Sequence, residues 1–106
     1  FTFVGFLPRK NSERAKILSH ISKSDKTTIL FEAPNRLKKL LNELKDFCGE
    51  EREIAVSREL TKKFEETIGN NIYEVIDYFD KKEVEMDINF EGVFGLQNLF
   101  KLSGSN

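Results

Sequence analysis

Seven charged or hydroxyl side chains crowd into the nine residues Arg58-Glu59-Leu60-Thr61-Lys62-Lys63-Phe64-Glu65-Glu66, directly after the apolar run Ile54-Ala55-Val56. Arginine and lysine at this density can hold phosphate oxygens, arginine through paired parallel hydrogen bonds. The carboxylates of Glu59, Glu65 and Glu66 can orient those cations, and one of them can accept a proton if burial raises its pKa. A desolvated Lys62 or Lys63 can do the same. Thr61 supplies a hydroxyl for phosphate or for the turn backbone. A charged turn whose members pair with one another is the structural alternative. Position favours a site, because loops at the carboxyl ends of strands in an α/β sheet converge on ligands.

Positioning such a site requires a sheet and helices, and the pattern of apolar residues predicts both. Phe1 to Phe6 alternates and is aromatic, as a strand is, and Leu7-Pro8 ends it. Asn11 or Ser12 can cap a helix carrying Ala15, Leu18 and Ile21, with Arg14, Lys16 and Lys23 turned outward. Thr27 to Phe31 is a short buried-strand run. Leu37, Leu40, Leu41, Leu44, Phe47 and Cys48 form a core-facing helical stripe, with Pro34 suited to the first turn and Gly49 to the stop. Glu53 to Ser57 predicts the next strand, and Glu66 to Ile68 a short one ending at Gly69-Asn70. Asn71 and Glu74 have capping-box spacing ahead of Ile72, Val75, Ile76 and Phe79. Val84, Met86, Ile88 and Phe90 alternate with acidic and amide residues, which predicts a strand with one wet face. Apolar residues among 93 to 102 fit a short helix, and Ser103 to Asn106 reads as a disordered end.

With strands as parallel neighbours, one sheet edge gathers Arg9, Lys10 and Arg14 from the first loop and helix, Arg36 from the start of the leucine helix, and Arg58, Lys62 and Lys63. That is a local basic patch on a nearly neutral chain. The 106 residues are 39% hydrophobic, with ten Phe and no Trp, and hold 17 basic and 18 acidic residues for a formal charge of −1. This composition fits one small domain and argues against a protein that coats nucleic acid generally. A single cysteine, Cys48, and a single histidine, His20, exclude an internal disulfide and a zinc cluster of the usual N/S ligands. Cys48 reads as a small buried hydrophobe and His20 as a surface residue. The acidic positions of the 83–91 run diverge along a strand, so no metal is expected. No run approaches a membrane span or a signal peptide, and a reducing, soluble, cytoplasmic setting fits.

Three segments together, Phe3-Val4-Gly5-Phe6-Leu7-Pro8-Arg9-Lys10, Phe31-Glu32-Ala33-Pro34-Asn35-Arg36-Leu37 and Arg58 to Glu66, in that order, resemble the small-subunit ribosomal RNA 2'-O-ribose methyltransferases, a branch of the tetrapyrrole methylase superfamily. The resemblance runs from Phe1 to about Gly92. It implies the C-terminal half of that fold: a single small three-layer α/β domain with a mixed, mostly parallel sheet flanked by helices, over residues 1–92, followed by a divergent, partly disordered tail at 93–106. It implies S-adenosylmethionine as cofactor, held mainly by the N-terminal half, whose glycine-rich loops this chain lacks. Phe31, Glu32, Ala33, Arg58, Glu59, Leu60 and Gly92 would touch that cofactor. Small-subunit ribosomal RNA would be the substrate, the N-terminal half and a second copy in a homodimer the protein partners, and no membrane is expected. Relatives commonly carry Ser where this chain has Ala33 and His where it has Asn35, so any role of those groups does not transfer. The catalytic base stays open among Glu59, Lys62, Glu65 and Glu66. Two other readings stand beside this one: half of a tetrapyrrole C-methyltransferase, disfavoured by the two basic runs, and a non-catalytic RNA-binding or dimerisation module. The fragment alone is expected to be inactive.

Overall fold

In a computed structural model of the chain, residues 1–61, 64–86 and 98–104 are described, with only the backbone described at 58–61, 64, 65, 82–86 and 98 and no side chain at Pro34. Among the described residues, five strands form one sheet in the order β1-β2-β5-β3-β4. These are β1 (Thr2–Phe6), β2 (Thr28–Glu32), β3 (Glu53–Thr61), β4 (Phe64–Asn71) and β5 (Asn98–Leu102), with helices α1 (Asn11–Lys23), α2 (Leu37–Cys48) and α3 (Ile72–Met86). β1 and β2 are parallel, and the other three ladders are antiparallel. The sheet is therefore mixed as expected, but antiparallel pairs outnumber parallel ones.

β5 runs antiparallel to both of its neighbours, so β1, β2 and β3 all point one way. The crossovers β1-α1-β2 and β2-α2-β3 advance across the sheet in one direction. Right-handed connection then places both helices on the same face. Their apolar stripes meet there: Leu18 and Ile21 of α1, Leu37, Leu40, Leu41 and Leu44 of α2, and Ile72, Val75 and Phe79 of α3 share one core with Leu30, Ile54, Val56, Phe100 and Leu102. The leucine stripe is thus core, while Phe47 at its end is 40% exposed. Gly49 closes α2 at φ 87°, a left-handed value that suits glycine. Asn71 Oδ1 accepts the Glu74 N–H at 2.8 Å, the expected cap of α3. The N-terminal residue of α1 differs: Lys10 precedes the helix and no side chain caps it.

Two expectations fail in the second half of the chain. Helix α3 continues through Val84 and Met86, where alternation predicted a strand; residues 87–97, including the rest of that run, lie outside the described residues. The segment expected as a helical or disordered tail instead supplies the central strand β5, with Phe100 and Leu102 fully buried. Ser103 N–H bonds Glu53 O at 3.1 Å, and Gly104 lies so close to the Asp25 backbone that a Cβ there would overlap it. The backbone is tied down as far as it is described. No described helix is long and apolar enough to cross a membrane.

Candidate site at the carboxyl edge of the sheet

The parallel direction of β1, β2 and β3 brings their carboxyl ends to one edge even though β5 separates the latter two. Register fixes the order along that edge: Glu32 opposes Asn98, Asn98 opposes Arg58, and Arg58 opposes Glu66. Arg58 lies two strand spacings, about 10 Å, from Glu32. β1 ends one strand further out at Phe6, which opposes Phe31, and leads into Leu7-Pro8-Arg9-Lys10. The three sequence segments that suggested chemistry are therefore neighbours at one edge.

The charged run takes a different local form from the loop expected. β3 continues through Arg58 to Thr61 and pairs antiparallel with β4 from Phe64, so the described residues of the run lie at the paired ends of two strands. A register shift between Glu59 and Thr61 marks an irregularity there, the kind of feature that re-aims side chains near sites. The side chains of Arg58, Glu59, Leu60, Lys62, Lys63 and Glu65, and all of Gly92, lie outside the described residues. Glu66 is described, and its carboxylate accepts a hydrogen bond from the Tyr78 hydroxyl at 2.9 Å. That contact holds one carboxylate of the hairpin against α3.

Of the remaining predicted cations, Arg9 and Lys10 are exposed. Arg36 is partly exposed, its Nε 4.0 Å from Glu32 Oε1. Arg14 is a correction. It faces the core at 4% exposure rather than solvent. Its Nε and Nη2 donate to Glu43 at 2.7 and 2.8 Å, Nη1 donates to Pro8 O at 3.3 Å, and Nη2 lies 3.6 Å from Glu32 Oε2. Its guanidinium is engaged in holding the edge together and is not presented to a phosphate. Glu43, 29 residues away, escaped sequence reasoning because nothing local marks the pair.

Glu32 is buried. Its Oε1 also accepts the Ala33 N–H at 2.9 Å, and Ala33 O accepts the Arg36 N–H at 3.0 Å. Arg14 and Arg36 thus fix a carboxylate that shapes the turn after β2. Phe31, by contrast, points to the opposite face of the sheet, where its ring packs on Phe3 and Phe6. Among the described residues, no cluster of His, Cys, Asp or Glu could hold a metal. Burial pushes the Cys48 thiol up, against the opposing charge of Arg52. His20 is exposed, as expected.

The hydrogen bonds from Arg14 hold the Glu43 carboxyl below its ordinary value of 4.5 against the desolvation that would raise it, with Lys39 and Arg36 assisting. A lowered folded-state pKa contributes stability that is present above the unfolded value and lost as pH falls through the folded one. Acidification below about pH 4.5 is therefore expected to destabilise the wild-type chain through this pair. Glu43→Gln should be less stable at neutral pH yet lose less between pH 5 and pH 3. Urea midpoints at the two pH values check this, and parallel losses in both proteins would contradict it.

Comparison with known proteins places relatives beside this geometry. The chain is 45% identical over 84 residues to a protein named ribosomal RNA small subunit methyltransferase I from Bacillus subtilis (79% of this chain, 28% of the relative). Its namesake from Synechocystis is 42% identical over 79 residues (74% and 28%). That from Vibrio cholerae is 38% identical over 96 residues (87% and 33%). The chain thus spans between about a quarter and a third of the length of these relatives. No family model matches it.

Proposed function

Homologous to the C-terminal part of the proteins named ribosomal RNA small subunit methyltransferase I, this chain is, we propose, the C-terminal domain of an S-adenosylmethionine-dependent enzyme that methylates a ribose 2'-hydroxyl of small-subunit ribosomal RNA. The observation that supports it best is the convergence of exposed Arg9 and Lys10, the Glu32–Ala33 turn and the charged hairpin on one sheet edge.

Such a reaction is an in-line displacement that needs a held donor, an aimed hydroxyl and removal of its proton. Alignment of two bound reactants can contribute about 7 to 11 kcal/mol to such a step. The sulfonium cofactor would supply the electrophilic methyl group. The chain would fit it as one wall: the turn after β2 carries the small side chain of Ala33 and is pre-shaped by Glu32, whose carboxylate is already engaged by Arg14 and Arg36. Most donor contacts belong to the part of the parent that this chain does not include. Arg9, Lys10, Arg36, Arg58, Lys62 and Lys63 hold the RNA backbone, which fixes register without reading sequence. Arg14 is left out of that set. Tyr78 keeps Glu66 in place beside Arg58 in the ladder, and the group that takes the proton stays open among Glu59, Lys62, Glu65 and Glu66.

A tetrapyrrole acceptor offers carboxylates but no extended phosphate backbone. Phosphate contacts release counterions, each adding close to one unit to the slope of log affinity against log salt. Reversing Lys62 and Lys63 to Glu in the full-length parent should flatten that slope by about two units for ribosomal subunits while cofactor affinity stays unchanged. An unchanged slope, or methylation of a tetrapyrrole and not of the subunit, would defeat the reading.

A further inference from the structure

The sheet face away from the helices carries an arrangement that the edge site does not use. Strict alternation would send Phe3 and Phe6, three residues apart, to opposite faces. A register shift between Phe3 and Gly5 cancels this, and Gly5 makes it possible with φ 73°, a left-handed value other residues resist. Both rings then lie on the open face, 60% and 54% exposed, and pack on Phe31 with centroids 5.4 and 5.8 Å apart. Ladder register continues the face across the sheet: Ile29, Lys101 and Ala55 form one row, and Phe31, Leu99, Ser57 and Thr67 the next. Lys101 is exposed at its centre. Ser57 and Thr67 share a hydrogen bond of 3.0 Å on the far side. Glu53, at the opposite end of β3 from Arg58, is the one carboxylate among the described side chains of that face.

We propose that this face is a stacking platform for unpaired bases of single-stranded RNA. Flat aromatic rings beside a cation are what such bases select, since every base has a π-face and every linkage a phosphate. Arg9 and Lys10 follow directly from the end of the same strand, so a strand of RNA whose backbone lies along the edge can lay its bases over Phe6 and Phe3. A protein partner fits less well, because interface cores are depleted in lysine and this face has Lys101 in its middle. The proposal rests on the RNA-modifying reading above and names where unpaired nucleotides next to the target lie.

Fluorescence anisotropy of the 106-residue chain with a labelled unpaired twelve-nucleotide cytidine RNA tests it without any methylation step. Phe3→Thr and Phe6→Thr should each weaken binding by at least about fivefold while leaving the salt slope unchanged. Lys101→Glu should weaken binding and flatten the slope by about one unit. Phe3→Trp should retain wild-type affinity, which separates lost stacking from lost folding. Unaltered affinity in the two threonine variants overturns the proposal. So does equal binding of the corresponding duplex, or concentration-dependent self-association in sedimentation that the same variants abolish. Loss of the methylation reading would show separately, in the Lys62/Lys63 slope on ribosomal subunits.

Discussion

A chain cut after Gly92 is expected to show no cooperative unfolding transition. The cut lies where the sequence resemblance fades, so from sequence it looks harmless. It removes β5, which bonds to β2 on one side and to β3 on the other. What remains is a two-stranded parallel pair and a two-stranded hairpin with no ladder between them, and isolated two-stranded units are marginal in water. Phe100 and Leu102 go with it, both at 0% exposure in the centre of the core. Phe100→Ala alone should cost about 3 to 5 kcal/mol, a large share of the roughly 5 to 15 kcal/mol that holds a small domain together. Urea titrations followed by far- and near-ultraviolet circular dichroism would decide the matter. A truncated chain that unfolds cooperatively with the wild-type midpoint would mean that β5 is dispensable.

That strand also shows where sequence reading stops. Apolar residues at 99, 100 and 102 satisfy a three-and-four spacing as readily as an alternating one, and only the partners β2 and β3, roughly 70 and 45 residues upstream, select the strand. Helix α2 was legible because its stripe and its stop signal at Gly49 are local. Val84 and Met86 alternate with Glu83 and Glu85, yet α3 runs on through them, because a helix begun at the Asn71 cap and buried at Val75 and Phe79 continues more easily than it breaks. At the site, the segments were legible as a set through their residue types. Their convergence depended on strand direction, which was anticipated, but with an antiparallel strand between that was not. Arg14 was misread for a plain reason: on a helix surface a lone arginine is ordinarily solvated, and the carboxylates that draw it inward, Glu32 and Glu43, come from other elements. Phe3 and Phe6 likewise share a face only because of the irregularity at Gly5, which period-two reading cannot see.

Arg52→Ala should destabilise the domain by about 3 kcal/mol, more than any surface arginine would. Arg52 is 8% exposed, and its guanidinium ends on carbonyls. Nε donates to Ser103 O at 2.6 Å, Nη1 to Ser22 O at 3.3 Å, and Nη2 to Ile21 O at 3.2 Å and Ser24 O at 3.4 Å. Ile21 and Ser22 lie in the last turn of α1 and Ser24 just after it, where helix ends leave carbonyls short of intrahelical partners, although Ile21 O also accepts the Ser24 N–H at 3.2 Å, and the macrodipole favours a cation. One side chain thus ties the end of α1 to the end of β5 from a position just ahead of β3. Removing it takes a donor from four carbonyls at once, of which Ile21 O keeps the Ser24 N–H, and an unsatisfied group costs more than a single hydrogen bond returns. Lysine has a single nitrogen and cannot span the set, so Arg52→Lys should recover only part of the loss. Arg52→Met keeps the aliphatic bulk and should resemble Ala, which separates lost hydrogen bonds from lost packing. Amide exchange should accelerate first in the last turn of α1 and in residues 101–103. If instead urea midpoints place Arg52→Ala within about 0.5 kcal/mol of wild type, water has replaced the guanidinium at those carbonyls and the tie between α1 and β5 lies in packing alone.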